Sequence, residues 1–228
     1  MDIARIATLL EPFLEQPLPP SRLDQISIYI DLIQRWNARI NLTAIRQEEE
    51  IVTRHFGESL FMARHLFPTS MARVPTPALS DPAQATPVNP PHVFDIGSGA
   101  GFPAVPLKLW APHIHLTLIE SNHKKVAFLR EVARILTLTD INVIADRVET
   151  LAFRPGFARA EVVTLRAVER FDAVLRYALA FLAPNATLAL LIGSDQVPQV
   201  QALTALSWQP PIPVPQSQRR ILSIGSLR

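Results

Sequence analysis

Val93-Phe94-Asp95-Ile96-Gly97-Ser98-Gly99-Ala100-Gly101-Phe102-Pro103 is the stretch that decides the fold of this chain. Its first four residues read as a strand, three alternating glycines follow, and a helix is expected over roughly 103–110. Glycine is scarce, at seven in 228 residues, and three of the seven fall here. Glycines belong where a chain turns sharply or a ligand comes close to the backbone. In an open α/β sheet, ligands sit in the crevice beyond the carboxyl ends of the strands. A dinucleotide loop needs Gly-x-Gly-x-x-Gly, but the sixth position here is Phe102. The spacing Gly97-x-Gly99-x-Gly101, preceded by Asp95, suits a ligand that has no pyrophosphate and lays a charged amino-acid end over the loop. Glu120 ends the second strand, 19 residues after Gly101. A carboxylate at that point can accept hydrogen bonds from both hydroxyls of a ribose. A tight turn beside a solvated acid is the plainer alternative. The order strand, loop, helix, strand and terminal acid favours a nucleoside site.

Outward from this stretch, short apolar runs alternate with helical ones. Strands are predicted at 92–96, 115–119, 141–145, 161–165 and 187–192, and helices at roughly 103–110, 123–138, 170–183 and 196–206. In the second of these helices, Val126, Leu129, Val132, Ala133 and Leu136 form one stripe. The alternation predicts a doubly wound, mainly parallel sheet. In the tail, 207–215 is broken by prolines, and 219–225 is expected to close an antiparallel edge hairpin. Residues 1–67 read as a helical extension. Leu23, Ile26, Ile30 and Ile33 keep a helical spacing that Trp36 and Ile40 continue, with Ser21 as the expected cap. Another helix is expected from about Glu48 to Leu66, opened by three glutamates that suit a helix N-terminus. Seven of the 24 residues at 68–91 are proline, which reads as a linker. The expected units are therefore 1–67, 68–91 and 92–228.

Composition narrows the function classes. An apolar fraction of 48% supports a substantial core. There is no cysteine, which removes disulfides, cysteine–zinc sites and a cysteine nucleophile. His113-x-His115 is too little for a metal, and none is expected. No apolar run is long enough for a membrane span. The N-terminus has no secretory pattern, so a cytoplasmic protein is expected. A net charge of +2 does not announce a nucleic-acid binder. From Lys124 to Arg176, however, ten basic residues face seven acidic ones, and 19 of the 22 basic residues are arginine, the better partner for phosphates and bases.

Asp95 to Leu107 closely resembles the motif of the bacterial small-subunit ribosomal RNA guanine-N7 methyltransferases, the glucose-inhibited division protein B family. Arg35-Trp36-Asn37-x-x-Ile40-Asn41-Leu42-Thr43-Ala44-Ile45 is similar to its N-terminal signature. Arg54-His55-x-x-Glu58-Ser59-Leu60 is similar to a second signature, with Glu58 where Asp is usual. Leu118 to Leu129, Arg147-Val148-Glu149 and Arg166-Ala167 follow in the same order. The resemblance implies a class I, Rossmann-like methyltransferase with a seven-stranded sheet, helices on both faces and a helical N-terminal extension. It implies S-adenosylmethionine as cofactor and methyl transfer to N7 of guanine 527 in 16S rRNA, with the RNA or the 30S subunit as partner. It also implies cofactor contacts at Gly97, Phe102, Glu120, Val148, Glu149 and Arg166, to which the loop itself adds Asp95, Gly99 and Gly101. Two departures remove basic charge: Ile192-Gly193 stands where a Lys-Gly pair is usual, and the last strand ends Gly225-Ser226-Leu227-Arg228.

Guanine N7 carries a free lone pair, so alignment and exclusion of water suffice and no general base is assigned. Arg166 is the nearest candidate to the reaction, as a partner for the cofactor carboxylate or an RNA phosphate. Its plainer role is an ion pair with Glu149 or Glu169. Arg54, His55, Lys124, Lys125, Arg219 and Arg220 are candidate RNA contacts, each of which also reads as a solvated or structural group. Trp36 and Phe61 fit the core by spacing, whereas Phe102 is placed to wall the cofactor pocket. A monomer is expected. The residues leave open a methyltransferase of the same fold acting on a small molecule or protein, and a module that binds the cofactor without the chemistry. A nicotinamide oxidoreductase is disfavoured by the missing sixth glycine.

Overall fold

A computed structural model describes residues 1–68, 90–166 and 171–227. The expected linker at 68–91 lies outside them except for 68, 90 and 91, as do Ala167, Glu169 and Arg228.

The parallel strands are β1 (His92–Ile96), β2 (His115–Glu120), β3 (Ile141–Ala145), β4 (Ala160–Arg166) and β5 (Leu182–Gly193). They are followed by β6 (Leu206–Trp208), β7 (Ile212–Pro213) and β8 (Arg220–Leu227). The sheet order is β3-β2-β1-β4-β5-β8-β6, with β7 paired to β8 off that path. The predicted seven-stranded sheet is this path, and β7 is an additional two-residue strand. β8 runs antiparallel to β5 and β6 and closes the expected antiparallel hairpin with β7, standing as the inner strand of that edge. Its interior, Ile221, Leu222 and Ile224, is apolar enough to be buried between two neighbours.

The order turns back at β1, which has β2 on one side and β4 on the other. That is a topological switch point, where two connections leave in opposite directions and open a crevice at the strands' carboxyl ends. The glycine loop leaves β1 at this point.

Strand residues alternate between the two faces, and each face carries its own core. Phe94, Ile96, Val163, Leu165, Leu188 and Leu190 join one cluster with α7 (Val148–Ala152) and α8 (Phe171–Ala178). Val93, Leu116, Leu118, Ala189 and Leu191 join the other, with α5 (Ala104–Trp110) and α6 (His123–Ile135). The same cluster takes in α1 (Ile3–Leu10), α2 (Pro20–Asn37) and α4 (Glu58–Leu66) through Ile6, Leu10, Ile26, Ile30, Leu60 and Phe61. The N-terminal helices thus cover one face of the sheet through a shared apolar core.

Local details depart from the sequence reading at several points; the helix expected over 196–206 is Val197–Gln201, and Leu206 already opens β6. The cap of α2 is Pro19, with Pro20 in the first turn, and Ser21 lies inside the helix. A proline at the first helical position gives up an amide that would have had no partner. The helix expected over 48–66 is α3 (Glu48–Glu50), a π-helical stretch Ile51–Gly57, and then α4. On α6 the buried stripe includes Phe128 beside Val126, Leu129 and Val132. Asn122 caps this helix, accepting from the amides of Lys124 and Lys125. Ile192 is 3% exposed inside β5 and pairs with Ile221, so this position is part of the core.

Candidate active site

All three glycines of the loop have positive φ, at +70° for Gly97, +56° for Gly99 and +83° for Gly101. L side chains pay for that conformation. The loop folds over the end of β2, since the amides of Gly97 and Ser98 both donate to the Ile119 carbonyl, at 2.9 and 3.2 Å. Among the described residues, a Cβ on Gly99 would meet only the Gly97 carbonyl at 3.7 Å, so those residues leave this point of the loop open. A Cβ on Gly101 would strike the Tyr29 hydroxyl and sit 3.0 Å from Val105 Cγ2. One glycine leaves room for a ligand, and the other leaves room for the N-terminal helices.

Glu120 is 7% exposed at the end of β2. Its Oε2 accepts from the Gly99 amide at 2.9 Å and its Oε1 from the Asn122 amide at 2.7 Å. The carboxylate ties the loop to the start of α6. A carboxylate has about four lone-pair positions, so two remain for a ligand.

Asp95 is 1% exposed. It pairs in register with Thr164 of β4, and this places the Thr164 hydroxyl to donate to Asp95 Oδ1 at 2.7 Å. Asp95 Oδ2 is buried without a hydrogen-bond partner. Burial pushes the carboxyl up to about 7, reinforced by the charge of Glu120 and opposed by the Thr164 and Ser98 hydroxyls and by Arg166. A buried acceptor left unpaired is costly, and a cation carrying N–H groups would satisfy it.

Val148 and Glu149 open α7 just beyond β3. The last residue of β3, Ala145, pairs with Glu120, so these two residues follow the same edge of the sheet. Phe102 is enclosed. Its ring stacks on Tyr29 at 5.4 Å and on His55 at 4.7 Å, with Phe56 edge-on at 5.1 Å. Two stacked rings and one edge-on ring pack against it, and it joins the loop to the N-terminal helices.

Arg166, at the end of β4, is 8% exposed. Its Nη2 lies 2.9 Å from Glu58 Oε2 and also donates to the Arg54 carbonyl. Its Nη1 reaches the His55 carbonyl and the Ser59 hydroxyl, each at 3.4 Å. The ion-pair role holds with Glu58 as partner, and the expected partner Glu169 lies outside the described residues. The carbonyls of Arg54 and His55 belong to the π-helical stretch, and π-helical turns recur at functional sites.

The N-terminal signature turns out to be scaffolding for this contact. The Asn37 side chain accepts from the amides of Leu42 and Thr43 and donates to the Thr43 carbonyl. Thr43 Oγ1 then lies 2.8 Å from His55 Nε2. Burial lowers His55 to about 3, helped by Arg166, Arg54 and Arg220, so the ring is neutral and brings no charge to a phosphate. Trp36 donates to Glu131 at 3.1 Å and packs on Phe128, while Phe61 is buried.

The remaining candidates gather at one edge. Lys124 and Lys125 lie in the first turn of α6 after β2, and Arg220 opens β8 opposite Gly193, the end of β5, with Arg219 just before it. Arg54, Lys124 and Arg219 are exposed. Arg220 Nε lies 3.7 Å from Glu58 Oε1. Sequence reading missed Glu58, Tyr29 and Thr164 as site-building residues. Thr164 left one signal, a polar residue in the run Glu161-Val162-Val163-Thr164-Leu165. Among the described residues, no group of three or more His, Asp or Glu is placed to hold a metal, and no helix is long and apolar enough to cross a membrane.

The model of the family described as rRNA small subunit methyltransferase G matches residues 22–74 and 79–208. The chain belongs to this family. It is 38% identical to the ribosomal RNA small subunit methyltransferase G of Chloroflexus aggregans over 190 residues, which is 82% of this chain and 70% of that protein. With the Bacillus cereus protein of the same name it shares 30% over 243 residues, covering 100% and 92%. Among solved structures, the fold resembles a ribosomal protein L11 methylase of Lactobacillus delbrueckii, with a TM-score of 0.55 at 12% identity, covering 75% of this chain and 80% of that one. It also resembles TrmN of Thermus thermophilus, at 0.53 and 16%, covering 78% and 53%. The chain thus has a Rossmann-like methyltransferase fold, with N-terminal helices on one face of the sheet.

Proposed function

We propose that the protein transfers a methyl group from S-adenosylmethionine to N7 of a guanine in 16S rRNA, guanine 527 by resemblance. The observation that carries the cofactor reading is the pairing of Asp95 Oδ2, buried and unpartnered, with Glu120 across a loop left open at Gly99. Asp95 and the backbone at Gly97 and Gly99 would hold the ammonium and amino-acid end. Glu120 would take the ribose hydroxyls, with Val148 and Glu149 beside it and Gly101 and Phe102 fixing the loop from behind. When bound, S-adenosylmethionine supplies a methyl group on a sulfonium leaving group.

Guanine N7 is nucleophilic without losing a proton. The chain's own contribution is therefore to hold the base in line and keep water out. Arg54, Lys124, Lys125, Arg219 and Arg220 share the edge where an RNA backbone would run, and phosphate contacts of this kind fix register. Family membership supports the RNA acceptor. Incubation with labelled cofactor and small ribosomal subunits lacking the modification should place label in RNA. Label only in protein or in small molecules would favour the other acceptors.

Asp95 gives this reading a pH dependence. Its folded value, about 7, lies above the ordinary 3.8. Its contribution to stability is therefore full below about 4 and declines as the pH rises through 7. A cation bound at Oδ2 prefers the ionised form, so cofactor affinity should fall as the pH drops below 7, by at most about tenfold per unit. In calorimetry from pH 5.5 to 8.5, Asp95→Asn should bind weakly with a flat profile. A wild-type profile that is equally flat would contradict the assignment.

A further inference from the structure

Glu58 lies on α4, in the N-terminal layer, yet its side chain is 4% exposed at the active edge of the sheet. One oxygen meets Arg166 at 2.9 Å and the other meets Arg220 at 3.7 Å. Arg166 sits opposite Leu191 of β5, and Arg220 sits opposite Gly193 on the other side of the same strand. The carboxylate therefore spans the end of β5 and ties together the two strands that flank it.

The two arginines are not equivalent. Arg166 is enclosed and engages Glu58, Ser59 and the carbonyls of Arg54 and His55, so its guanidinium is committed to the protein. The Arg220 side chain is 28% exposed and rests on Glu58 through Nε. Arg54, whose carbonyl Arg166 holds, is exposed, and Arg54 and Arg220 both lie near enough to act on the charges of Arg166 and His55. Burying a carboxylate costs several kcal/mol before pairing, and well-packed apolar residues often stabilise as well as a buried ion pair does. Arg166 and Arg220 both pair with this one carboxylate, Arg54 lies four residues before it, and Arg219 precedes Arg220, while Asp195 stands beside Gly193 at the same strand end.

On the reading that this edge receives RNA, we propose that Glu58 is a positioning residue. It touches neither cofactor nor RNA, and it holds Arg220 at the rim beside Arg54 so that their guanidinium groups receive a backbone phosphate of the substrate.

The test compares wild type, Glu58→Gln, Glu58→Asp, Arg220→Gln and the Glu58→Gln/Arg220→Gln double variant. Their kcat and KM are measured for unmodified small subunits at several salt concentrations, with calorimetric Kd for S-adenosylmethionine. Glu58→Gln should raise KM about tenfold, one lost charge-assisted contact, while kcat and cofactor Kd stay near wild type. Glu58→Asp, which keeps the charge, should fall in between. Arg220→Gln should match Glu58→Gln, the double variant should add little more, and both single variants should flatten the salt dependence of KM by about one phosphate contact. An unchanged KM in Glu58→Gln, additive effects in the double variant, or an unaltered salt slope would overturn the proposal. If Glu58→Gln does not fold, the partly exposed Arg220→Gln decides alone, and wild-type KM and slope in that variant overturn it. Failure of the wild type to methylate subunits would instead overturn the acceptor assignment.

Discussion

Glu120→Ala is expected to weaken S-adenosylmethionine binding about 100-fold while the chain stays folded, the equivalent of two hydrogen bonds to a charged group at the lower end of their range. The substitution acts twice. It removes the acceptor for the ribose hydroxyls, and it releases the amides of Gly99 and Asn122, which the carboxylate holds at 2.9 and 2.7 Å. The loop that must pre-form the site would then order only on binding, and that entropy would be charged against affinity. Glu120→Gln keeps one acceptor and should lose less. The core is not involved, so the melting temperature should fall by only a few degrees, about 2–4 °C for each kcal/mol in a chain of this size. Calorimetry with S-adenosylmethionine decides the matter, because wild-type affinity in Glu120→Ala would remove the ribose site from this position.

Gly101→Ala should have the opposite profile, a large loss of stability of about 3 kcal/mol from backbone strain and overpacking together. The residue has φ +83°, and a Cβ there would strike the Tyr29 hydroxyl, which donates to the Ala100 carbonyl at 2.5 Å. Tyr29 has no free volume into which to retreat, being 0% exposed and stacked on Phe102. Gly99→Ala is the matched control. It carries strain at φ +56° but meets no described residue closer than the Gly97 carbonyl at 3.7 Å, so it should lose cofactor affinity more than stability. Thermal melts of the two variants separate these cases. Equal melting temperatures would mean that the loop does not bear on the N-terminal helices.

These two predictions also mark what the sequence made legible. The glycine loop, its acid and the strands are local features. An apolar run with a turn signal fixes a strand, and a strand–loop–helix order fixes where a ligand sits, so 92–96 and 141–145 match β1 and β3 residue for residue. The contacts that join the helical layer to the sheet are not local. Glu58 and Arg166 stand 108 residues apart. A run such as Arg54-His55-x-x-Glu58 does not say which of its polar groups turns inward, and the π-helical stretch shifts the phase of the helix there. Phe102 was legible as a special residue, but its ring stacks on Tyr29 and on His55. Only the packing of α2 and the π-helical stretch against the loop could show this. Asn37 and Thr43 could be read as a signature but not as the turn that holds His55 in place.

The most direct test of the whole account is to digest RNA from small subunits methylated in vitro and identify the product nucleoside and its position by mass spectrometry. The account predicts 7-methylguanosine at a single site, lost in Glu120→Ala at limiting cofactor. Methyl groups on another atom or base, or spread over many sites, would contradict it.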